Sequence, residues 1–219
     1  MWPSVIRLNV SFQFGTEAME FIESIEDLGS IYGLPSDAAL YKVTHKITSS
    51  YKDWIDKSSF CIISSVGSDG TDASPRGDNG QVVKILNDET IALPDWKGNQ
   101  RIDTLRNIVK DKRVSLLFMV AGSNNVIRVN GQAKITTDDE LIKIFNNHKT
   151  YPKTVILIKV NEVYFQCARA LTRANLWDCG DQSSGLPTPG SMLKEITNGT
   201  FDGDAYDLSW PERYKKALW

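Results

Sequence analysis

The spacing of apolar and polar residues changes at Phe60. Before it, apolar side chains recur at intervals of three and four residues, after a cap at Ser36 or Asp37. This spacing predicts one long amphipathic helix whose apolar stripe faces a core. The stripe comprises Leu40, Val43, Ile47, Tyr51, Trp54 and Ile55. We interpret its aromatic residues as core and not as a cofactor site.

From Phe60 onward, short runs rich in β-branched and aromatic residues alternate with turn clusters such as GSDG and AGSNN. The runs are FCIISSV, QVVKIL, TIALP, VSLLFMV, VIRVNGQAKIT, TVILIKV and EVYFQC. Six or seven strands at this close spacing predict a barrel or a sandwich. Two helices interrupt them: NQRIDTLRNIVKD, with Ile102, Leu105 and Ile108 facing inward, and the shorter DDELIKIFNNH.

The two ends of the chain differ from this central region. Residues 6–14 alternate in polarity as an edge strand would, although Met19 could instead be the natural start, with residues 1–18 read from an upstream start codon. The first residues lack the features of a signal peptide. A linker rich in Gly, Pro and Ser precedes a helical tail. We predict an N-terminal extension at 1–18, a domain at 19–178, and a linker with a helical tail at 179–219.

Charge and cysteine usage exclude several classes of protein. The 25 basic and 27 acidic residues give a net charge of -2, so no overall field attracts nucleic acid or an anionic membrane. Any phosphate must therefore be bound locally. Three cysteines without a CxxC motif, and two histidines, predict neither a zinc site nor a disulfide scaffold. With no apolar run long enough for a membrane span, we expect a cytoplasmic protein that binds no metal.

Common catalytic motifs are also missing. The sequence contains no GxGxxG, GxxxxGK[ST], GxSxG or HExxH. These absences disfavour a Rossmann nucleotide fold, a P-loop enzyme, an α/β-hydrolase and a zinc protease. A catalytic triad would need His45 or His148, and we interpret both as surface or structurally satisfied residues.

Two polar segments remain as candidates for chemistry. In DGTDASPRGDNG, Arg76 lies among turn residues, so the segment is a bare turn, an anion site or a surface recognition loop. In LPDWKGNQRIDTLRN, polar side chains surround a helix start, where free N–H groups favour a phosphate. The alternative is that Asp95 caps the helix and that Arg101 and Asp103 form a solvated pair. Residue chemistry alone leaves both interpretations open.

Several ordered blocks resemble the pyridoxamine 5'-phosphate oxidase-like superfamily of FMN-binding split barrels. They are SPRGD, TIALPDWKGNQRIDTLRNI, RVSLLFMVAG, IRVNGQAKIT and CARALTRANLW, and they are most similar to a subgroup with PRGD, LPD, GN and RVNG motifs. The resemblance covers about residues 22–178. It implies a mainly β protein with flanking helices, built on a six-stranded split β-barrel. It also implies a homodimer with two FMN molecules at the subunit interface.

The same resemblance implies where FMN would bind. The strand end at 93–95 would run beside the flavin ring, and segment 99–104 would take the phosphate. Arg76 would lie near the pyrimidine end of the ring or near the phosphate, with Gly77 allowing close backbone approach. The implied cofactor-binding residues on these segments are Arg76, Gly77, Asp78, Leu93, Pro94, Asp95, Asn99, Arg101 and Thr104.

Three further arginines are implied to complete the site from the neighbouring subunit. They are Arg128 on VIRVNG, and Arg169 or Arg173 on CARALTRANLW. On residue chemistry alone, each could equally be a surface cation.

The chain departs from true pyridoxamine phosphate oxidases at three places. It has QVVKIL where they have RxVLLK, with Gln81 in place of the arginine, and NQRIDT where they have SRK. Their C-terminal substrate-binding motif is also missing after Trp177. We therefore expect no vitamin B6 oxidation. The expected activity is that of an FMN-dependent oxidoreductase, which passes hydride from a small substrate or NAD(P)H to an acceptor through flavin N5. The alternatives are a non-catalytic flavin-binding or sensing protein, or a split barrel that uses F420 or haem.

Overall fold

The structure, a computed structural model, describes residues 21–68, 70–146 and 150–217. The chain divides into two units, Met1–Val43 and Thr44–Trp219. In the first unit the described residues form helices α1 (Ile25–Tyr32) and α2 (Asp37–Tyr41). The side chain of Ser24 caps α1 by accepting from the Asp27 N–H.

The second unit is built on an antiparallel sheet with seven strands in its described part. The strands are β1 (Phe60–Gly67), β2 (Gly70–Gly77), β3 (Lys84–Asn87), β4 (Thr90–Asp95), β5 (Arg113–Met119), β6 (Val126–Thr136) and β7 (Thr154–Gln166). Their order across the sheet is β2-β1-β5-β6-β7-β4-β3, so β2 and β3 lie at its two ends. The predicted mainly β architecture with flanking helices is confirmed, with seven strands where a six-stranded barrel is implied.

Helices flank this sheet. In the described part of the second unit they are α3 (Ser49–Lys57), α4 (Asp103–Lys110), α5 (Asp139–Lys143), α6 (Arg169–Ala174), α7 (Pro189–Ile196), α8 (Gly203–Leu208) and α9 (Trp210–Ala217). The side chain of Thr188 caps α7, a predicted part of the C-terminal tail. None of the described helices is both long and apolar enough to cross a membrane.

The prediction of one long helix up to residue 55 is wrong. The chain leaves the helical conformation after α2 and begins a new helix, α3, at Ser49. Between them the backbone of Thr44 exchanges two hydrogen bonds with Val163 on β7. Thr48 then caps α3 by accepting from the Tyr51 N–H. Pairing with the sheet and a new cap therefore override the helical spacing of the apolar residues.

The turn-rich segment around Arg76 is also different from the prediction. Residues Gly70–Gly77 form β2, an edge strand that pairs along its whole length with β1. Pro75 is tolerated there because an edge strand has one side on which no N–H is needed. Conversely, the predicted runs TVILIKV and EVYFQC are one continuous strand, β7. The expected turn around Arg76 is thus a strand, which fixes the direction of its side chains.

The core lies between the inner face of the sheet and helices α3 and α4. Ile55, Ile63, Leu116 and Ile156 are fully buried in it. The C-terminal part of α4 contributes Ile108, which is 2% exposed. The close packing therefore joins the strands to both helices through Ile55 on α3 and Ile108 on α4.

Helix α4 is held close to the β1–β2 hairpin. A Cβ atom at Gly67 would collide with Oδ1 of Asn107, so a larger residue there would displace the Asn107 side chain. The Asn107 amide donates to Ser65 over 3.2 Å. The prediction that Ile102 faces inward is wrong, because it precedes the helix in a left-handed conformation and is 49% exposed. The contacts of Asn107 with Gly67 and Ser65 therefore hold the middle of α4 against the hairpin.

Two sequence predictions lie outside the described residues. They are the edge strand at 6–14 and the surface interpretation of His148. The predicted domain boundaries stay predictions.

Candidate functional site

A cleft of about 610 Å³ opens where β2, β4 and the start of α4 come together. Small-molecule sites typically measure roughly 300 to 1,000 Å³. Nine of the twelve predicted cofactor-binding residues line the cleft: Arg76, Gly77, Asp78, Leu93, Pro94, Asp95, Asn99, Arg101 and Thr104. The structure therefore brings the predicted segments together, while the role of these residues in cofactor binding stays a prediction.

An ion pair spans this cleft between two strands that are not neighbours in the sheet. The Nη1 group of Arg76, on β2, donates to Oδ1 of Asp95, at the end of β4, over 2.5 Å. The side chains are only 20% and 13% exposed. Because the pair is shielded from water, loss of either partner would leave the other charge without a counterion.

Two buried polar atoms close to this pair have no hydrogen-bond partner among the described residues. One is Nε of Arg76 and the other is Oγ1 of Thr154. Thr154 lies opposite Asp95 in the pairing of β4 with β7, so both side chains are on one face of the sheet. A buried donor that is left unpaired costs about 1 to 3 kcal/mol. Of these two residues only Arg76 lines the cleft, so Arg76 is the one to which a ligand in the cleft could offer an acceptor.

The floor beneath Arg76 is apolar. Cys61 faces Arg76 in the pairing of β1 with β2 and is fully buried. Burial raises the pKa of the Cys61 thiol to about 12, although the positive charge of Arg76 acts in the opposite direction. Leu93 adds a second fully buried side chain. The guanidinium thus lies over a neutral, water-excluding surface.

The end of β4 forms one wall of the cleft. Pro94 pairs with Val155 on β7, whereas the pairing of β3 with β4 stops at Ala92. Because β4 is free on that side beyond Ala92, the missing N–H of Pro94 breaks no ladder hydrogen bond. Pro94 and Asp95 therefore face the cleft from an unpaired strand edge.

The loop before α4 forms the opposite wall. Gln100 and Ile102 both have positive φ angles, 65° and 53°, which is uncommon for residues with side chains. Ile102 occupies the cap position of α4, and no side chain caps the helix. The first N–H groups of the helix are thus free of side-chain partners, a feature that suits an anion.

Arg101 projects from this loop into solvent. Its Nε donates to Asp103 over 2.8 Å, and the two side chains are 74% and 40% exposed. The Arg101 N–H donates to Oδ1 of Asn99. An exposed pair of this kind contributes little to stability, so Arg101 could exchange Asp103 for a phosphate at small cost.

Thr104 is the most buried polar residue at the helix start, with 3% exposure. Its hydroxyl donates to the Asp72 carboxylate on β2 over 2.5 Å. This hydrogen bond connects the first turn of α4 to the edge strand β2. The Thr104 hydroxyl, which was expected to donate to a phosphate, donates to Asp72 instead.

The other three predicted residues lie outside the cleft. Arg128 is on the outer face of β6, where its Nη1 is 3.4 Å from the Tyr164 hydroxyl and its guanidinium lies 5.9 Å from the ring centre. Arg169 and Arg173 lie on α6 beside a smaller cavity of about 270 Å³. Within one chain, these arginines are thus separate from the predicted cofactor site.

Sequence reasoning missed several residues of the cleft. Asp72 and Ser74 lie at alternate positions of β2 before Arg76, so the two-residue period of a strand could have indicated them. Trp96 also lines the cleft, but it was not predicted although it lies within the segment LPDWKGNQRIDTLRN. Lys153 reaches the cleft through the pairing of β7 with β4, which no local pattern indicates. Neither Lys97 nor Lys153 forms an ion pair with another described residue.

Metal-binding residues are not clustered in the described part of the chain. His45 lies outside the cleft, with its Nδ1 2.8 Å from the backbone oxygen of Asn161. The cleft thus offers arginine, lysine, amide and hydroxyl groups around an apolar floor, which can hold an anionic organic ligand.

Solved structures with similar architecture have low sequence identity to this chain. HupZ from Group A Streptococcus is 22% identical, with a TM-score of 0.44 over 53% of this chain and 91% of its own. An FMN-binding protein from Syntrophomonas wolfei is 12% identical, with a TM-score of 0.42 over 65% and 97%. A relative of general stress protein 26 from Clostridium acetobutylicum is 11% identical, with a TM-score of 0.40 over 53% and 85%.

No curated protein matches the sequence. The family model for pyridoxamine 5'-phosphate oxidase, however, matches residues 47–167, which is more than half of the chain. The match runs from the end of the loop before α3 to the residue after β7, and so contains every strand of the sheet and every residue of the cleft. The chain belongs to the pyridoxamine 5'-phosphate oxidase family.

Proposed function

We propose that the protein binds FMN in the cleft between β2, β4 and the start of α4, and that it is an FMN-dependent oxidoreductase with the split-barrel fold of its family. The proposal rests on Arg76, which lines the cleft and whose buried Nε has no hydrogen-bond partner among the described residues, because a ligand in the cleft could supply the missing acceptor. FMN offers such acceptors in its ring carbonyls and in its phosphate.

The rest of the cleft suits the other parts of FMN. The free N–H groups at the start of α4 and the exchangeable Arg101 favour a phosphate at segment 99–104. Leu93 and Pro94 are buried and give an apolar wall for the ring. Lys97 and Lys153 add positive charge at the cleft. Family membership supports the same assignment.

When bound, FMN supplies a ring that accepts and returns hydride through N5, whereas the protein supplies binding and a defined environment. The residues of this cleft exclude water from one side of the ring and fix its orientation. Vitamin B6 phosphates are not proposed as substrates, because the chain lacks the corresponding C-terminal motif.

An absorbance titration tests the proposal. The purified protein should carry FMN, or take it up at micromolar concentration in preference to riboflavin and FAD. Anaerobic addition of NADH or NADPH should then bleach the flavin band. A protein that takes up no FMN would contradict the proposal. If the protein binds FMN but neither NADH nor NADPH bleaches it, the protein would be a flavin-binding protein that does not accept hydride from these nucleotides.

We further infer that the protein is a homodimer, from a row of side chains on the outer face of the sheet. Ile62, Leu117, Arg128 and Tyr164 are consecutive partners across β1, β5, β6 and β7, and all four are half-buried. An apolar row around one arginine suits an isologous interface. A second copy would also cover a flavin on the outside of a barrel whose interior is filled by its own side chains.

Light scattering tests the dimer. We expect a mass near twice 24.5 kDa at micromolar concentration. Leu117→Glu should yield monomers and weaken FMN binding, whereas Leu86→Glu, a matched change at an exposed position of β3, should do neither. A monomer that binds FMN as tightly as the dimer would contradict a shared site.

A further inference from the structure

We propose that Asp95 is a positioning residue, which holds Arg76 so that its Nε–H group faces the ligand in the cleft. This inference rests on the proposed function, because the ligand is taken to be FMN. It concerns how the cleft is organised and not whether FMN binds there.

The geometry of the guanidinium supports this role. The group is planar and its five N–H donors point in fixed directions, so a hydrogen bond at Nη1 also fixes the direction of Nε. Asp95 makes that bond from the opposite side of the cleft. Arg76 forms no other ion pair within the described residues, and Nε remains buried without a partner. Asp95 thus holds the guanidinium of Arg76 at Nη1 and leaves its Nε–H group as a donor for the ligand.

The surroundings leave Arg76 few other anchors. Its cross-strand neighbour Cys61 presents a protonated, buried thiol, which gives no counterion. Asp72 lies four residues before Arg76 on the same face of β2, and its carboxylate already accepts a hydrogen bond from the Thr104 hydroxyl. Among the described residues Asp95 is the carboxylate that pairs with Arg76, so we expect the guanidinium to be less firmly oriented when Asp95 is removed.

Charge alone predicts the opposite effect, which makes the inference testable. A carboxylate close to an anionic ligand weakens binding through repulsion. If Asp95 only neutralised Arg76, its removal would strengthen FMN binding. If Asp95 orients Arg76, its removal should weaken FMN binding. The two roles thus differ in the sign of the change.

The experiment compares the dissociation constants of FMN and riboflavin for the wild type, Asp95→Ala and Asp95→Asn, measured by flavin fluorescence. Asp95→Ala should bind FMN about tenfold more weakly, as expected for one charge-assisted hydrogen bond. Asp95→Asn keeps an oxygen that accepts from Nη1 and should recover most of the affinity. A loss with both flavins places the Nε contact on the ring, and a loss with FMN alone places it on the phosphate; both support the inference.

Three results would overturn it: unchanged or tighter FMN binding by Asp95→Ala, or equal losses in Asp95→Ala and Asp95→Asn, or wild-type affinity in Arg76→Lys. The lysine variant matters if Asp95→Ala does not fold, because an ammonium can pair with Asp95 but offers no second donor in a fixed direction. Absence of FMN binding by the wild-type protein would instead count against the proposed function.

Discussion

Two arginine–aspartate pairs lie at the cleft and differ in exposure and in sequence separation. Arg76 and Asp95 come from different strands and are 20% and 13% exposed, whereas Arg101 and Asp103 are two residues apart and 74% and 40% exposed. The first pair forms only in the folded sheet, while the second is local and screened by water. The Arg76–Asp95 pair therefore stabilises the folded sheet at one end of the cleft. The Arg101–Asp103 pair at the other end can exchange its aspartate for a ligand.

Removal of Arg76 should have the largest effect. Arg76→Ala leaves Asp95 largely shielded and without its counterion, so we expect the free energy of unfolding to fall by about 3 kcal/mol, the lower end for a buried pair, because both side chains are still partly exposed. FMN affinity should fall as well, because the buried donor is lost. Urea unfolding and a flavin titration measure the two effects.

Arg113→Ala is a matched control for this variant, because Arg113 is 74% exposed and pairs with Asp111 two residues away. Because water screens this pair, the variant should lower the unfolding free energy far less than Arg76→Ala does. If both variants lost the same stability, the distinction between shielded and exposed pairs would be wrong.

Arg101→Ala should separate binding from folding. An exposed arginine adds little to stability, so unfolding should change by less than about 0.5 kcal/mol. Loss of a charge-assisted contact to the phosphate should cost about 1.5 to 3 kcal/mol of binding, or roughly tenfold to a hundredfold in FMN affinity. Riboflavin, which has no phosphate, should bind equally well to both proteins. Unchanged FMN affinity would assign Arg101 to the solvated surface.

Loss of the hydrogen bond between Thr104 and Asp72 should have an intermediate effect on the free energy of unfolding. Thr104→Val keeps the shape of the side chain but removes the hydroxyl, which we expect to lower the unfolding free energy by about 1 to 2 kcal/mol. Thr104→Ser keeps the hydroxyl and should retain most of that stability. Equal loss in both variants would point to packing of the methyl group instead of the hydrogen bond.

The smallest effect on stability should come from the Asp111–Arg113 pair, and this effect should disappear in acid. The hydrogen bond from Arg113 is the main cause that lowers the pKa of Asp111 from 3.8 to about 2. Because this pKa is lower in the folded state, the stabilisation is present above about pH 3.8 and is lost as the pH falls towards 2. Asp111→Asn and the wild type should therefore converge in stability between pH 5 and pH 2. A difference that stays constant with pH would contradict this.

The sequence predicted the Val- and Ile-rich strands well, because burial on one face imposes a two-residue period. It failed at β2, where Gly, Pro and Asp are typical of turns but are tolerated on an edge strand. It also failed to separate α2 from α3, because the break depends on pairing of Thr44 with a strand more than a hundred residues away.

In the candidate site, too, local motifs could be recognised in the sequence, whereas contacts between distant segments could not. Motif resemblance indicated nine residues that the fold brings to one cleft. The bond between Arg76 and Asp95 and the approach of Lys153 depend on how the sheet curves, so no local pattern could predict them.

A crystal structure of the protein with FMN tests the central claim most directly. We expect the ring between β2 and the end of β4, the phosphate at segment 99–104, and Nε of Arg76 within about 3.2 Å of an FMN oxygen while Nη1 still contacts Asp95. FMN bound elsewhere, or bound in this cleft with Nε directed away from it, would contradict the account.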